Sequence, residues 1–169
     1  ALRWNGRHSA WDESWIPYDA YMTYSPQDRG ERHFSDDEVA QYLQQIRRSI
    51  GSKGQLIVAI DACHSGDATC GGDDECVRGV DMKFNIPRQP NTPAAKPIEE
   101  QWLTISACKP YQLSSEVKGK RVGKLSYALY TLGRKAMKMS CSTLEKRLAD
   151  IFSTYESRIR QTPMVTGRK

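Results

Sequence analysis

One short stretch of the sequence combines a nucleophile, a carboxylate and a glycine turn. Residues 61–66 read Asp-Ala-Cys-His-Ser-Gly and directly follow a continuous apolar run. Such a run predicts a strand covered on both faces, as in a parallel sheet. Because ligands of open α/β sheets bind outside the carboxyl ends of the strands, we expect Cys63 to lie exposed on this turn. Backbone N–H groups beside it could lower the thiol pKa and form an oxyanion hole.

The other cysteines narrow the possible uses of Cys63. An odd total of five cannot be fully paired in disulfides, and no Cys-x-x-Cys pair offers a zinc site. The spacing alone fits a buried, inert Cys63 as well as it fits a nucleophile.

A reducing compartment, the cytoplasm, is the simpler expectation for a chain whose cysteines cannot all be paired. No signal-peptide pattern and no run of about 18 apolar residues is present, so no membrane partner is expected.

The charge balance does not indicate a nucleic-acid partner. Lys and Arg number 25 against 20 Asp and Glu, a net charge of +5. The basic residues are scattered between apolar ones, whereas nucleic-acid binding requires a clustered basic face. A solvated surface is the better interpretation.

Helical periodicity appears in three segments. Ser35 and Glu38 form a capping-box pattern that begins a helix, and Gly51 ends it. A second apolar stripe runs from Leu125 to Ala136. A third runs from Leu144 to Ile159, with Ser142 as the expected cap. Residues 1–35 and 67–100 show no periodicity and predict ordered loops and a long linker.

Short apolar runs at 55–61 and 102–107 predict buried strands, and 163–167 predicts a last short strand. Together with the helices they indicate an α/β fold, a mainly parallel sheet flanked by helices. So few strands cannot cover both of their faces and edges. We therefore expect an N-terminal fragment or a second chain to complete the sheet.

The 61–66 stretch resembles the nucleophile segment of the caspase-like cysteine peptidases, in particular metacaspases and their bacterial relatives. Other segments resemble that family in the same order along the chain: residues 15–19, 35–38, 104–109 with Gln112 and Glu116, and 123–129. The resemblance implies a caspase-like fold and a single peptidase domain over 1–169. Residues 1–66 would be the latter part of the large-subunit region, 67–101 the intersubunit linker, and 102–169 the small-subunit region.

The resemblance also implies roles for individual residues. Cys63 would attack a peptide carbonyl and form an acyl-enzyme, and Asp61 would bind the Arg or Lys side chain before the cut bond. Alternatively, Asp61 has a structural role, and its carboxylate accepts hydrogen bonds from backbone N–H groups. Ser106 and Ala107 would line the same cleft. The expected partner is then a protein or peptide substrate with Arg or Lys at the cleaved position.

The linker offers basic residues at which such an enzyme could process itself. They are Arg78, Lys83, Arg88 and Lys96. A catalytically silent caspase-fold domain, used for regulation or assembly, is the alternative function.

The general base and a metal site are less well defined by the resemblance. His8 lies 55 residues before Cys63, close to the family's spacing, but no apolar strand precedes it. The expectation is therefore a base upstream of residue 1, with His8 as a weak candidate. Asp19, Asp36 and Asp37 fall where some metacaspases bind calcium. Compensation of a helix dipole explains Asp36 and Asp37 equally simply, and no cofactor is required.

Overall fold

A computed structural model of the chain describes residues 2–4, 11–63, 75–79, 83–84 and 101–167, of which 2–4, 11–13 and 83–84 by their backbone alone. The chain divides into two compact units. One comprises Ala1–Gly54 and Asp81–Gln101, the other Gln55–Val80 and Trp102–Lys169. The elements, in chain order, are β1 (Leu2–Trp4), β2 (Trp11–Trp15), β3 (Phe34–Ser35), α1 (Asp36–Ser49), β4 (Ile57–Ile60), β5 (Lys83–Phe84), β6 (Leu103–Ser106), α2 (Lys124–Leu132), a 3₁₀ helix (Gly133–Lys138), α3 (Cys141–Phe152) and β7 (Met164–Gly167).

The first unit contains a small sheet in the order β3-β2-β1-β5. β2 pairs antiparallel with both β1 and β3, and β1 pairs parallel with β5. The expectation of loops throughout 1–35 is therefore wrong. These strands are two to five residues long. They are held by backbone pairing, which leaves no alternating apolar pattern for sequence reasoning to detect.

Helix α1 confirms the predicted capping box. The Ser35 hydroxyl accepts from the Glu38 N–H at 3.2 Å, and the Glu38 carboxylate accepts from the Ser35 N–H at 2.9 Å. The helix ends at Ser49, and Gly51 follows with a φ of +68°, a left-handed conformation that favours glycine.

The second unit is built on the sheet β4-β6-β7. β4 and β6 run parallel, with Ile57 opposite Leu103 and Ile60 opposite Ser106, whereas β7 runs antiparallel to β6. One apolar core joins this sheet to the helices that follow it. Its buried members are Leu103, Ile105, Ala107, Leu125, Ala128, Ala136, Leu144, Leu148, Phe152 and Val165.

The chain has the predicted mixture of helices and strands, and the strands at β4, β6 and β7 are confirmed. The mainly parallel sheet is wrong for the described residues, because three of the five strand pairings there are antiparallel. An apolar run shows that a strand is buried, but it does not encode the direction of the neighbouring strand.

The C-terminal helices differ from their predicted limits. α2 ends at Leu132, and Ala136 lies on the 3₁₀ helix. α3 begins after Ser140, whose hydroxyl accepts from the Thr143 N–H at 3.2 Å, so the cap expected at Ser142 is wrong by two residues. Both serines precede the apolar stripe at distances suitable for an N-cap, so the sequence pattern alone does not identify which of them is the cap. Among the described helices, none combines the length and the apolar character needed to cross a bilayer.

Candidate active site

The parallel pair β4–β6 brings the predicted site residues together at its carboxyl end. Ile60 and Ser106 are opposite each other, and the Ala107 N–H donates to the Ile60 carbonyl at 2.9 Å. Asp61 and Cys63 follow β4 directly, beside the end of β6. The placement expected for Asp61, Cys63 and Ser106 at one sheet edge is thus observed.

Cys63 is buried rather than exposed, with 7% of its surface accessible. The expectation of an open thiol is wrong because residues 75–79, here called the covering segment, lie over it. The Cys63 N–H donates to the Arg78 carbonyl at 2.9 Å. A methyl group built on Gly79 would lie only 2.4 Å from the Cys63 Sγ. The thiol is therefore covered by peptide backbone at the Arg78–Gly79 junction.

The covering segment is itself joined to residues 114–116 by backbone hydrogen bonds around an isolated antiparallel bridge. The Arg78 N–H donates to the Ser114 carbonyl at 2.7 Å, and the Glu116 N–H donates to the Cys76 carbonyl at 2.9 Å. Val77 and Ser115 form the antiparallel bridge between them. An extended peptide added to a free backbone edge in this way is a common mode of peptide recognition.

The Arg78 side chain lies between two carboxylates. Its Nε donates to the Asp61 carbonyl at 2.8 Å and lies 3.9 Å from the Asp61 Oδ1. Its Nη1 donates to the Glu116 Oε1 at 3.2 Å. A planar guanidinium has donors on several edges, so it can contact both residues at once. The site beside Cys63 therefore accommodates a basic side chain.

Asp61 also holds the beginning of α2. Its Oδ2 accepts from the Ser126 N–H at 2.9 Å, and its Oδ1 accepts from the Ser114 hydroxyl at 3.4 Å. Gly123, the N-cap residue, has no side chain with which to cap the helix, and a methyl group there would lie 2.0 Å from the Asp61 Oδ2. A carboxylate from β4 thus takes the place of the missing cap and complements the helix dipole.

A buried ion pair anchors the start of the covering segment. The Lys124 ammonium, 2% exposed, lies 3.2 Å from the Glu75 Oε1, and the Arg158 N–H donates to the Glu75 Oε2 at 3.0 Å. The Ser157 hydroxyl contacts the Glu75 carboxylate and the Lys124 ammonium. Glu75 therefore joins the covering segment to α2 and to the loop after α3.

This anchor makes the stability of the protein sensitive to acid. Burial raises the pKa of Glu75, but hydrogen bonds from Ser157, the Arg158 N–H and Lys124 outweigh it and leave the pKa below its usual value. Ionised Glu75 therefore stabilises the fold above the unfolded pKa, and this contribution is lost as pH falls through the folded pKa. We expect Glu75→Gln to be less stable at pH 7 by about 1–3 kcal/mol. The deficit should shrink towards pH 3 in urea titrations.

The matched control is Glu156→Gln, because the Glu156 side chain is 84% exposed and pairs with Lys118 at 3.7 Å. An exposed pair of this kind contributes little, so its removal should leave the urea midpoint nearly unchanged. A Glu75→Gln deficit that stayed constant from pH 7 to pH 3 would contradict the role assigned to the Glu75 charge.

The neighbouring thiol of Cys108 is unsuited to nucleophilic attack. Burial raises its pKa to about 11, with further contributions from Cys63 and Asp61. Its sulfur donates to the Gln112 carbonyl at 3.3 Å. A protonated, hydrogen-bonded thiol is a poor nucleophile at neutral pH.

The other predicted residues are His8, a weak candidate for the base, and the three aspartates predicted to bind calcium. His8 lies outside the described residues. Asp19 lies on an exposed loop near Arg32, while Asp36 and Asp37 occupy the first turn of α1. Within the described ranges, no group of three or more His, Cys, Asp or Glu side chains is placed to share a metal ion. The calcium site stays a prediction.

Comparison with known proteins identifies the family to which the chain belongs. A family model described as the caspase domain matches residues 5–169, nearly the whole chain. The chain belongs to the caspase-domain peptidase family. No curated protein and no solved structure matches it.

The caspase domain family consists of cysteine peptidases, so a nucleophilic cysteine is expected in this chain, and Cys63 is the candidate. Sequence reasoning predicted the placement of Cys63, Asp61 and Ser106 at this sheet edge, but not the contacts made by Glu116, Gly79 and Gly123. The sequence features that pointed to these residues were Gln112 and Glu116, which follow the β6 segment, and Gly123, which precedes the apolar stripe of α2.

Proposed function

We propose that this caspase domain is an endopeptidase of the metacaspase type that cuts peptide bonds after Arg, and less efficiently after Lys. One observation carries the proposal. The Arg78 carbonyl accepts from the Cys63 N–H, while the guanidinium of the same residue contacts Asp61 and Glu116. A substrate Arg bound in this way would present its carbonyl to the Cys63 sulfur.

The reaction proposed is acyl transfer to sulfur. The Cys63 thiolate attacks the carbonyl carbon, and the Cys63 N–H stabilises the negative charge that develops on the carbonyl oxygen. The amine leaves with the proton lost by the thiol, and water then hydrolyses the thioester. His8 stays the proposed candidate for moving these protons, with an upstream histidine as the alternative.

The charges at the site support cleavage after a basic residue. Asp61 and Glu116 would repel an acidic substrate side chain and attract a cation. Arg has an advantage over Lys because its guanidinium reaches both residues at once, whereas an ammonium acts as a point charge.

The test is a set of peptides that differ only in the residue before the cut, namely Arg, Lys, Gln or Asp. We expect kcat/KM to be highest for Arg, about tenfold lower for Lys, and about 100-fold or more lower for Gln and Asp. Equal rates for Arg and Gln would refute the specificity, and preferred cleavage after Asp would refute the charge argument behind it.

A catalytically silent domain for regulation or assembly is the second candidate, and the burial of Cys63 favours it. Absence of Cys63-dependent hydrolysis of every peptide in the set would select this candidate. The second chain or N-terminal fragment also stays a proposal. Within the described residues β4 is at the edge of its sheet, paired with β6, so a further strand could be added there.

A further inference from the structure

We propose that Gln161 is a positioning residue for the peptide substrate, an inference that rests on the proposed function. Gln161 lies in the loop between α3 and β7, three residues before β7 begins. Its side-chain amide fixes residues 114–116, here called the docking edge, to which the covering segment is hydrogen-bonded. A substrate that takes the place of the covering segment would meet the same docking edge.

The docking edge uses alternate residues for contacts on its two sides. The Ser114 carbonyl and the Glu116 N–H face the covering segment and bond to it at 2.7 and 2.9 Å. The backbone of Ser115 points the other way, as alternate residues do in antiparallel pairing. Its N–H donates to the Gln161 Oε1 at 3.0 Å, and its carbonyl accepts from the Lys124 N–H at 3.1 Å. The side turned away from the peptide is therefore held by Gln161 and by the start of α2.

The Gln161 amide takes the place of a peptide group between the docking edge and β6. While its Oε1 accepts from the Ser115 N–H, its Nε2 donates to the Ala107 carbonyl, directly after β6, at 3.0 Å. Ser115 and Ala107 are fully buried, so loss of either hydrogen bond would leave a polar group without water to replace it. Because β6 pairs with β4, which leads into Cys63, the amide fixes the docking edge relative to the proposed nucleophile.

A further contact of Gln161 leads to the carboxylate proposed to bind the substrate Arg. The Gln161 Nε2 also donates to the Ser114 Oγ at 3.3 Å. The Ser114 hydroxyl in turn donates to the Asp61 Oδ1 at 3.4 Å. A glutamine amide has both the donor and the acceptor that these contacts require. Gln161 therefore acts on a bound substrate through Ser114 and Ser115, which set both the backbone contacts and the surroundings of Asp61.

The effect of the docking edge should depend on the length of the peptide. The Ser114 carbonyl would bond the N–H of the substrate Arg, as it bonds that of Arg78. The Glu116 N–H would bond the carbonyl two residues earlier, as it bonds that of Cys76. A peptide of three residues can form both bonds, whereas acetyl-Arg can form the first alone. Accurate placement of the docking edge thus matters more for the longer peptide.

The experiment compares kcat/KM of the full-length protein for acetyl-Ala-Val-Arg and for acetyl-Arg, both as chromogenic amides. Each peptide must displace the covering segment, so that cost cancels in the ratio of the two values. Gln161→Met keeps a side chain of similar length and removes its polar contacts. We expect the ratio of the longer to the shorter peptide to fall by about tenfold in this variant.

Gln161→Glu gives the same test if thermal melting shows that Gln161→Met does not fold. The Glu carboxylate keeps the acceptor for the Ser115 N–H but cannot donate to the Ala107 carbonyl when it is ionised. We therefore expect a smaller fall in the ratio at pH 7 than in Gln161→Met.

Gln112→Met is the matched control, because it makes the same substitution at a neighbouring glutamine. The Gln112 Oε1 accepts from the N–H groups of Lys109 and Thr162, at 3.1 and 3.0 Å, and so fixes the loop after β6. Its replacement should lower the melting temperature and leave the ratio of the two peptides unchanged.

The outcomes separate this inference from the proposed function. A simple loss of stability would lower both values in the same proportion, so an unchanged ratio in the folded Gln161 variant would overturn the inference while the proposed function stands. A wild-type ratio close to one, or an equal fall in Gln112→Met, would overturn it as well. A wild-type protein that cuts neither peptide would overturn the proposed function, and this inference with it.

Discussion

We expect Cys63→Ala to lower kcat/KM for an Arg peptide by at least about 1,000-fold, because the Cys63 thiol is the proposed nucleophile that forms the acyl-enzyme. The Cys63 thiol lies at the end of β4, against the Arg78–Gly79 junction. Removing its sulfur should leave the fold intact, since alanine occupies less space at a site that is already closed. The measurement is a steady-state assay with the melting temperature recorded in parallel.

Cys108→Ala is the matched control for this result. Cys108 is buried next to the end of β4, and its pKa of about 11 keeps the thiol protonated. Its loss should therefore change kcat/KM by less than about tenfold. Substantial activity in Cys63→Ala combined with its loss in Cys108→Ala would reassign the nucleophile.

We expect Asp61→Asn to lower kcat/KM for the Arg peptide by about 100-fold and also to destabilise the fold by about 1–3 kcal/mol. The two effects have separate causes. The negative charge beside Arg78 is lost, and so is a charged acceptor for the Ser126 N–H at the start of α2. Peptide assays with Arg and Gln, together with urea unfolding, measure both effects.

Glu116→Gln separates these two roles. The Glu116 carboxylate contacts the Arg78 guanidinium, whereas the Ser126 N–H at the start of α2 donates to Asp61. Its replacement should weaken the preference for Arg over Gln with little change in the urea midpoint. If Asp61→Asn lowered stability but left that preference unchanged, Asp61 would be a helix cap alone and not part of the substrate site.

Local signals predicted those parts of the fold that depend on neighbours in sequence. The Ser35–Glu38 capping box and the strands at β4 and β6 are such cases. The prediction of the α3 cap was wrong because Ser140 and Ser142 both carry a hydroxyl at similar distances from Leu144. The short strands of the first unit were not predicted because they are defined by backbone pairing and not by a side-chain pattern.

The site shows the same division between local and distant determinants. A strand followed by Asp61 and Cys63 indicates a nucleophile at a sheet edge, and the structure places both residues there. The cover over Cys63 depends on pairing between residues 75–79 and 114–116, which are distant in sequence. The fit of Gly123 against Asp61 likewise arises only when β4 meets α2. Contacts of this kind leave no periodicity in a single sequence.

Covalent labelling tests the identity of the nucleophile most directly. The full-length protein is treated with a peptidyl acyloxymethyl ketone that ends in Arg, and the modified residue is mapped by mass spectrometry. We expect one equivalent of label on Cys63 and none from the matching probe that ends in Asp. A folded protein that takes up no label, or carries it on a different cysteine, would contradict the assignment of Cys63 as the nucleophile of a peptidase that recognises Arg.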